Sequence, residues 1–170
     1  LLAWKMTSPP LLQHALDLHR QGAVAQAIDL YRQIIAHNPD AADAHYYLAA
    51  ALCQQGRVAE GENAARAAIA LDPQAARAHN LLGLALQRLG RGAEALASFD
   101  AAIARQADHA AAHGNRAGIL AELGRHDEAL VSYDRAVALQ PASLADWCNR
   151  AASLQAVRGQ PSQVVRVSGQ

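Results

Sequence analysis

Histidine is the residue type in this chain with the clearest potential for chemistry, because neutral imidazole nitrogens bind transition metals. The sequence contains eight histidines, and three of them recur at intervals of 34 residues, namely His45, His79 and His113. A metal site needs several ligands around one ion, whereas residues on successive helices of a stack lie about 10 Å apart. We therefore predict no metal site, and the sequence implies no other cofactor.

The other residue types that carry chemistry are not arranged for catalysis. Cys53 and Cys148 are far apart and form no CxxC pair, so we expect free thiols in a reducing cytosol. The GxSxG, HExxH, P-loop and Rossmann patterns do not occur. Three glutamates each follow an arginine by three residues: Arg57 with Glu60, Arg91 with Glu94 and Arg125 with Glu128. This spacing indicates surface ion pairs of little energetic worth, and we predict that the chain is not an enzyme.

Composition argues against nucleic-acid and membrane partners. The 15 basic and 15 acidic residues balance, and no apolar run approaches the ~20 residues of a membrane span. Hydrophobic residues make up 52% of the chain and aromatic residues only 4%, with alanine contributing much of the apolar total, which favours closely packed helices. Lys5 is the single lysine, a bias associated with GC-rich, bacterial coding sequences.

The elements that must position these residues repeat every 34 residues. Six sequence positions share the interval: Gly22, Gly56, Gly90 and Gly124; Leu18, Leu52, Leu86, Leu120 and Leu154; Pro39, Pro73, Ala107 and Pro141; Tyr31, Ala65, Phe99 and Tyr133; Ala15, Ala49, Gly83 and Ala117; and Ala27, Gly61, Ala95 and Ala129. Glycine allows the left-handed backbone that ends a helix, and proline cannot continue one. Each unit is therefore predicted to contain two helices.

The predicted helix bounds follow from this register. First helices are expected at about 9–21, 42–55, 76–89 and 110–123, second helices at about 24–37, 58–71, 92–105 and 126–139, and a last helix at about 144–157. These define an N-terminal extension (1–7), a solenoid (8–158) and a C-terminal tail (159–170). The repeats are 8–41, 42–75, 76–109 and 110–143.

Small residues at two positions predict close contact between the two helices of each unit. Ala49 should face Gly61, and Gly83 should face Ala95, which lets helix axes approach the short end of ~8–10 Å. The aromatic position should wedge between neighbouring units, but Ala65 interrupts it. We therefore predict that the second unit is the least stable or most mobile part of the stack.

The six positions resemble the tetratricopeptide repeat pattern over roughly residues 8 to 158. The third unit carries the resemblance best, with Leu82-Gly83, Leu86, Gly90, Ala95 and Phe99. His45, His79 and His113 stand where the family often has tryptophan, and we expect them to be half-buried substitutes for that residue. In the last helix Trp147 restores the tryptophan. The resemblance implies an all-α, right-handed superhelix of four full repeats plus a terminal helix, whose first helices line a concave groove for peptides or partner proteins.

Within that implied groove, the variable residues are the candidate contacts of a protein or peptide partner. They are Tyr46, Tyr47, Arg77, Asn80, Leu84, Gln87, Arg88, Asn115, Glu122 and Asn149. Because Tyr46 and Tyr47 are adjacent, they point about 100° apart on a helix. One is expected to pack between units and the other to face the groove; alternatively, both serve only helix packing.

Asn115 and Asn149 repeat within Gly-Asn-Arg-Ala and Cys-Asn-Arg-Ala, similar to the asparagine ladder in the repeat region of O-linked sugar transferases, which grips an extended chain. The alternative is that these amides bond only to neighbouring helices. The carboxylate clamp of chaperone adaptors is disfavoured, because no lysine lies within the repeats and Arg77 is the only base in its column.

The leading interpretation is a non-catalytic interaction scaffold, cytoplasmic and bacterial. The alternative is the substrate-presenting or regulatory region of a larger enzyme such as a glycosyltransferase. The last helix and the tail, which alternates like an extended segment, either belong to a stack that originally continued or mediate self-association.

Overall fold

The protein is a stack of helical hairpins. The computed structural model describes residues 2–159, with side chains from residue 10 onward, and this part of the chain contains nine α-helices and no strand. The helices are α1 (Leu2–Arg20), α2 (Val24–His37), α3 (Ala42–Gln54), α4 (Val58–Leu71), α5 (Ala76–Arg88), α6 (Gly92–Arg105), α7 (Ala110–Glu122), α8 (His126–Leu139) and α9 (Leu144–Gly159). Each helix packs against the next one along the chain, so the predicted all-α solenoid is confirmed.

The predicted bounds agree with α2 to α8 to within one residue. The predicted start of the first helix near residue 9 is wrong, because α1 begins at Leu2 and includes most of the expected extension. That prediction placed the start at Pro9 and Pro10, where proline suits a first turn, but leucine, alanine, lysine and methionine upstream also favour a helix. The extended conformation expected of the tail falls on residues 160–170, outside the described residues.

Each unit turns at a glycine with a left-handed backbone. Gly22, Gly56, Gly90 and Gly124 have φ values of 84°, 80°, 74° and 73°. The residue after each glycine donates its backbone N–H to the repeated leucine, as Arg91 does to the Leu86 carbonyl at 2.9 Å. This is the Schellman arrangement, in which a left-handed residue lets the chain satisfy a helix-terminal carbonyl. It explains why glycine and leucine recur together.

At the other end of each unit, a side chain from the following helix bonds to the connecting loop. His45 Nε2 donates to the Pro39 carbonyl, six residues earlier, at 2.9 Å. An equivalent bond, also spanning six residues, occurs in each later unit. The later bonds are His79 to Pro73 at 3.1 Å, His113 to Ala107 at 3.0 Å and Trp147 Nε1 to Pro141 at 3.0 Å. The histidines therefore replace tryptophan as ring N–H donors, and burial lowers the pKa of His79, against the hydrogen bond to Pro73.

The small residues lie where the two helices of a unit cross. The alanines at these positions are fully buried, and a Cβ atom added to Gly61 would overlap Cys53 Sγ and lie 3.1 Å from the Ala49 carbonyl oxygen. A Cβ atom added to Gly83 would lie 2.5–2.8 Å from three atoms of the Phe99 ring. Close contact between paired helices is therefore confirmed, and Phe99 fills the space that Gly83 leaves.

The aromatic position joins neighbouring units at Tyr31, whose ring stacks on Tyr47 of the second unit with centroids 6.0 Å apart. Burial raises the pKa of Tyr31 to about 12, with Tyr47 adding to the effect. Ala65 is also fully buried, but its short side chain makes no such bridge to the third unit.

An ionic cluster joins the second and third units instead. Glu62 occupies the position of Ile28 and Leu96 in neighbouring units, and its side chain is 12% exposed. Arg91 of the third unit lies 2.8 Å from both Glu62 carboxylate oxygens, and Arg66 donates to Glu62 at 3.0 Å. Burial raises the pKa of Glu62, but the hydrogen bonds from Arg66 and Arg91 outweigh it, so the pKa is lowered overall.

Candidate functional site

The first helices of the units form one continuous surface. Among the described helices, the backbones of α1, α3, α5, α7 and α9 each approach the next member of this series closely. The second helices meet only through long side chains, as Arg32 does with Glu60 and Arg66 with Glu94. The stack therefore curves with the first helices on its inner side. We call the exposed inner face of these five helices the groove.

Aromatic residues form the wall of the groove at α3. Tyr46 and Tyr47 meet edge to face with centroids 5.1 Å apart. The Arg77 guanidinium lies 4.6 Å from the Tyr46 ring centroid and pairs with Asp43. Burial raises the pKa of Tyr46, against the opposing charge of Arg77. Tyr47 thus packs on Tyr31 between units, while Tyr46 is half-buried beneath Arg77 and not openly exposed to solvent.

Two adjoining cavities open along the groove. The first, between α1 and α3, has a volume of about 430 Å³ and is lined by Leu16, His19, Arg20, Tyr46, Tyr47 and Ala50. The second, between α3 and α5, has a volume of about 420 Å³ and is lined by Ala50, Cys53, Gln54, Leu81, Leu84, Ala85, Gln87 and Arg88. Ala50 lines both, so the two cavities adjoin at this residue.

The first helix of the chain contributes groove residues that sequence reasoning missed. Leu16, His19 and Arg20 line the first cavity. The signal was present in the sequence, because these residues stand 34 positions before Ala50, Cys53 and Gln54 of the second unit.

A chain of hydrogen bonds fixes the polar rim between the cavities. The His19 ring bonds to the Tyr31 hydroxyl through Nδ1 at 3.3 Å and to Gln54 Oε1 through Nε2 at 2.7 Å. Arg88 Nη1 donates to the Cys53 carbonyl at 2.7 Å. Burial raises the pKa of the Cys53 thiol, with the Arg88 charge acting in the opposite direction.

The amide residues of the groove bond partly to one another. Asn115 Nδ2 donates to Asn80 Oδ1 at 3.0 Å, and Gln87 Nε2 donates to Glu122 Oε1 at 3.1 Å. Asn149 on α9 is exposed and is not brought into this pair. The structure therefore joins Asn115 to a neighbouring helix, as the packing alternative expected, while Asn115 Oδ1 and the Asn80 amide nitrogen remain available.

A larger cavity of about 700 Å³ lies on the other side of the stack, between α6 and α8. In the preceding gap, between α4 and α6, Arg105 reaches across to the Pro73 carbonyl at 2.5 Å. One unit later Leu139 takes the place of Arg105, and its side chain has no N–H group to donate to the Ala107 carbonyl, so the same bond cannot form. Sequence reasoning missed this cavity.

Across residues 2–159, no helix is long and apolar enough to cross a membrane. In this part of the chain, no three histidine, cysteine or acidic side chains are placed to hold a metal ion together.

Comparison with protein families agrees with this geometry. Two family models, each described as tetratricopeptide repeat, match residues 18–85 and 80–143, which together run from α1 to the end of α8. The chain belongs to the tetratricopeptide repeat family. No curated protein matches the sequence. The predicted likeness to sugar transferases finds no support in these matches.

Solved structures show the same fold at low sequence identity. A MamA structure has a TM-score of 0.79 at 18% identity, covering 89% of this tetratricopeptide chain and 83% of MamA. Pseudomonas aeruginosa PilF has a TM-score of 0.83 at 20% identity, covering 92% and 71%. YrrB, described as having an unusual peptide-binding site, has a TM-score of 0.73 at 18% identity, covering 89% and 78%.

Proposed function

We propose that the protein is a binding scaffold that holds a peptide segment of a partner protein in the groove. The observation that carries the proposal is the pair of adjoining cavities that share Ala50, each large enough for one or two side chains. Their walls combine leucine and tyrosine with a few fixed polar groups, the composition typical of ligand sites. YrrB shows that a similar fold accommodates a peptide-binding site.

The rim of the second cavity suits a peptide backbone. Gln54 uses its carbonyl oxygen for His19, which leaves its amide nitrogen as a donor, and Gln87 uses its nitrogen for Glu122, which leaves its oxygen as an acceptor. An extended peptide offers both groups at each residue. The Asn80 and Asn115 pair offers one donor and one acceptor further along the groove.

The test is a displayed library of random peptides selected on the whole chain, followed by binding measurements with the selected peptides. Ala50→Trp fills the point at which the cavities meet and should weaken binding at least tenfold. Ala97→Trp makes the same change at an exposed position of α6, which is a second helix and does not line the groove, and it should leave binding unchanged. Equal binding by wild type and Ala50→Trp would move the site away from the groove.

The proposal extends to location and to the role of the chain. We place the protein in the cytoplasm, since Cys53 and Cys148 are both unpaired thiols. A regulatory or substrate-presenting role beside a catalytic domain uses the same groove, and activity assays on this chain alone are expected to find no catalysis.

A further inference from the structure

The cations of the groove differ in whether a carboxylate already neutralises them. Arg20 pairs with Asp17 at 2.8 Å, and Arg77 pairs with Asp43. Arg88 has no carboxylate partner among the described residues, and its hydrogen bond goes to the uncharged Cys53 carbonyl. Arg88 therefore presents an uncompensated positive charge at the edge of the second cavity.

The hydrogen bond to Cys53 also holds the Arg88 guanidinium in place. It uses Nη1 alone, so the remaining N–H groups of the planar fork stay free for an incoming acceptor. A guanidinium fixed in this way binds a carboxylate with two parallel hydrogen bonds and loses little side-chain entropy. Arg88 is exposed, so the carboxylate reaches it without displacing a protein group.

The cavities beside Arg88 add a requirement for apolar side chains. The second cavity is walled by Leu81 and Leu84, and the first by Leu16 and the tyrosines. Because each cavity lies between neighbouring first helices, their centres are about one helix spacing apart, ~8–10 Å. Residues three apart in a polyproline II segment lie on one face and about 9 Å apart, which matches this spacing.

From these features we propose that the groove selects an acidic, hydrophobic peptide segment, with two apolar side chains three residues apart and an aspartate or glutamate next to the one that enters the cavity beside Arg88. This inference rests on the proposed function. Glu122 stands 34 residues after Arg88, on the next first helix of the same row, and it disfavours a second acidic residue beyond the first. The carboxylate belongs to a side chain within the segment and not to the C-terminus of the peptide. The reason is that the groove continues beyond Arg88 onto α7, so the peptide also continues past this point.

The test uses fluorescent peptides with both ends blocked, in which Ser-Leu-Ser-Ser-Leu-Glu-Ser is compared with the same peptide carrying Gln in place of Glu. Binding to the whole chain is followed by fluorescence anisotropy at low and at physiological salt. The glutamate peptide should bind five- to tenfold more tightly, with the difference shrinking as salt rises. Arg88→Gln, which keeps a donor for the Cys53 carbonyl, should remove the difference. Arg105→Gln, which removes an exposed cation of α6 outside the groove, should preserve it.

Three outcomes would overturn the proposal, and they separate it from the proposed function. If both peptides bind equally and Ala50→Trp weakens both, the groove binds peptides but Arg88 does not select them. If an unblocked peptide ending in Leu binds more tightly than the glutamate peptide, the chain terminus and not a side chain supplies the carboxylate. If neither peptide binds and the displayed library also yields no groove ligand, the proposed function fails together with this inference.

Discussion

Substituting Gly83 by alanine provides a direct test of the packing in the third unit. The new Cβ atom would lie 2.5–2.8 Å from three atoms of the Phe99 ring. Phe99 is fully buried, so its ring has no open space into which it can turn. Either the ring shifts against its neighbours or α5 and α6 move apart.

The expected size of the effect is the difference between two terms. Overpacking a buried site costs about 1–3 kcal/mol, and three contacts on one buried ring place this site in the upper part of that range. Replacing an interior helical glycine by alanine returns about 1 kcal/mol through helix propensity. We expect a net loss of about 1–2 kcal/mol, which lowers the midpoint of thermal unfolding by roughly 2–8 °C for a chain of this length.

Gly118→Ala is the matched control on α7. Its Cβ atom would lie 3.9 Å from the Tyr133 hydroxyl, an ordinary contact, so only the propensity gain remains and the variant should be more stable than wild type. Urea unfolding followed by circular dichroism gives the free energy of unfolding of both variants. The comparison requires that the dependence of this free energy on urea concentration is the same in each variant.

A double-mutant cycle isolates the contact itself. Phe99→Leu replaces the ring with a smaller side chain, so Gly83→Ala should cost less in the Phe99→Leu background than in wild type, with a coupling of about 1 kcal/mol or more. If Gly83→Ala stabilises the protein as Gly118→Ala does, the close contact between α5 and α6 described here is not present in solution.

Other predictions concern the ionic cluster, a buried histidine and the mobility of the second unit. Glu62→Leu restores the residue type of neighbouring units and should be neutral or stabilising at pH 7. Because the pKa of Glu62 is lower in the folded state than its ordinary value of 4.5, ionised Glu62 stabilises the folded wild type at pH values above 4.5. This contribution is lost as the pH falls through the lower folded-state pKa. Acid titration should therefore destabilise wild type more than Glu62→Leu, and parallel curves would contradict the role of Arg66 and Arg91. His79 has a lowered pKa, so protonation of the unfolded chain below 6.5 should weaken folding, and His79→Phe should reduce that dependence in urea titrations at pH 7.5 and 5.5. Hydrogen exchange should be faster in α4 than in α6, and equal protection of the two helices would refute the predicted weakness of the second unit.

The fold was predictable from the sequence because every unit repeats the same physical constraints. Gly90 supplies the left-handed backbone that lets the Arg91 N–H reach the Leu86 carbonyl, and this turn fixes where α5 ends and α6 begins. The start of α1 was not predictable in this way, since no preceding unit sets its register. Proline alone indicated the wrong boundary there.

The composition of the groove was predictable, but its pairings were not. The repeat register places Asn80 and Asn115 on neighbouring helices, yet only the side-chain geometry shows that they bond to each other. Similarly, Arg88 and Arg77 both qualify as groove cations from their positions. Their difference depends on Asp43, which lies next to one and not the other.

The bond from each ring N–H to the carbonyl six residues earlier changes where the chain divides into modules. His79 is counted in the third repeat, but its hydrogen bond completes the loop of the second at Pro73. A cut between these residues would leave a loop carbonyl on one fragment and its donor on the other. Repeats added to or removed from this protein should therefore be joined directly after a glycine turn, so that the bonds from Gly90 to the Gln87 carbonyl and from Arg91 to the Leu86 carbonyl stay within a single transplanted piece.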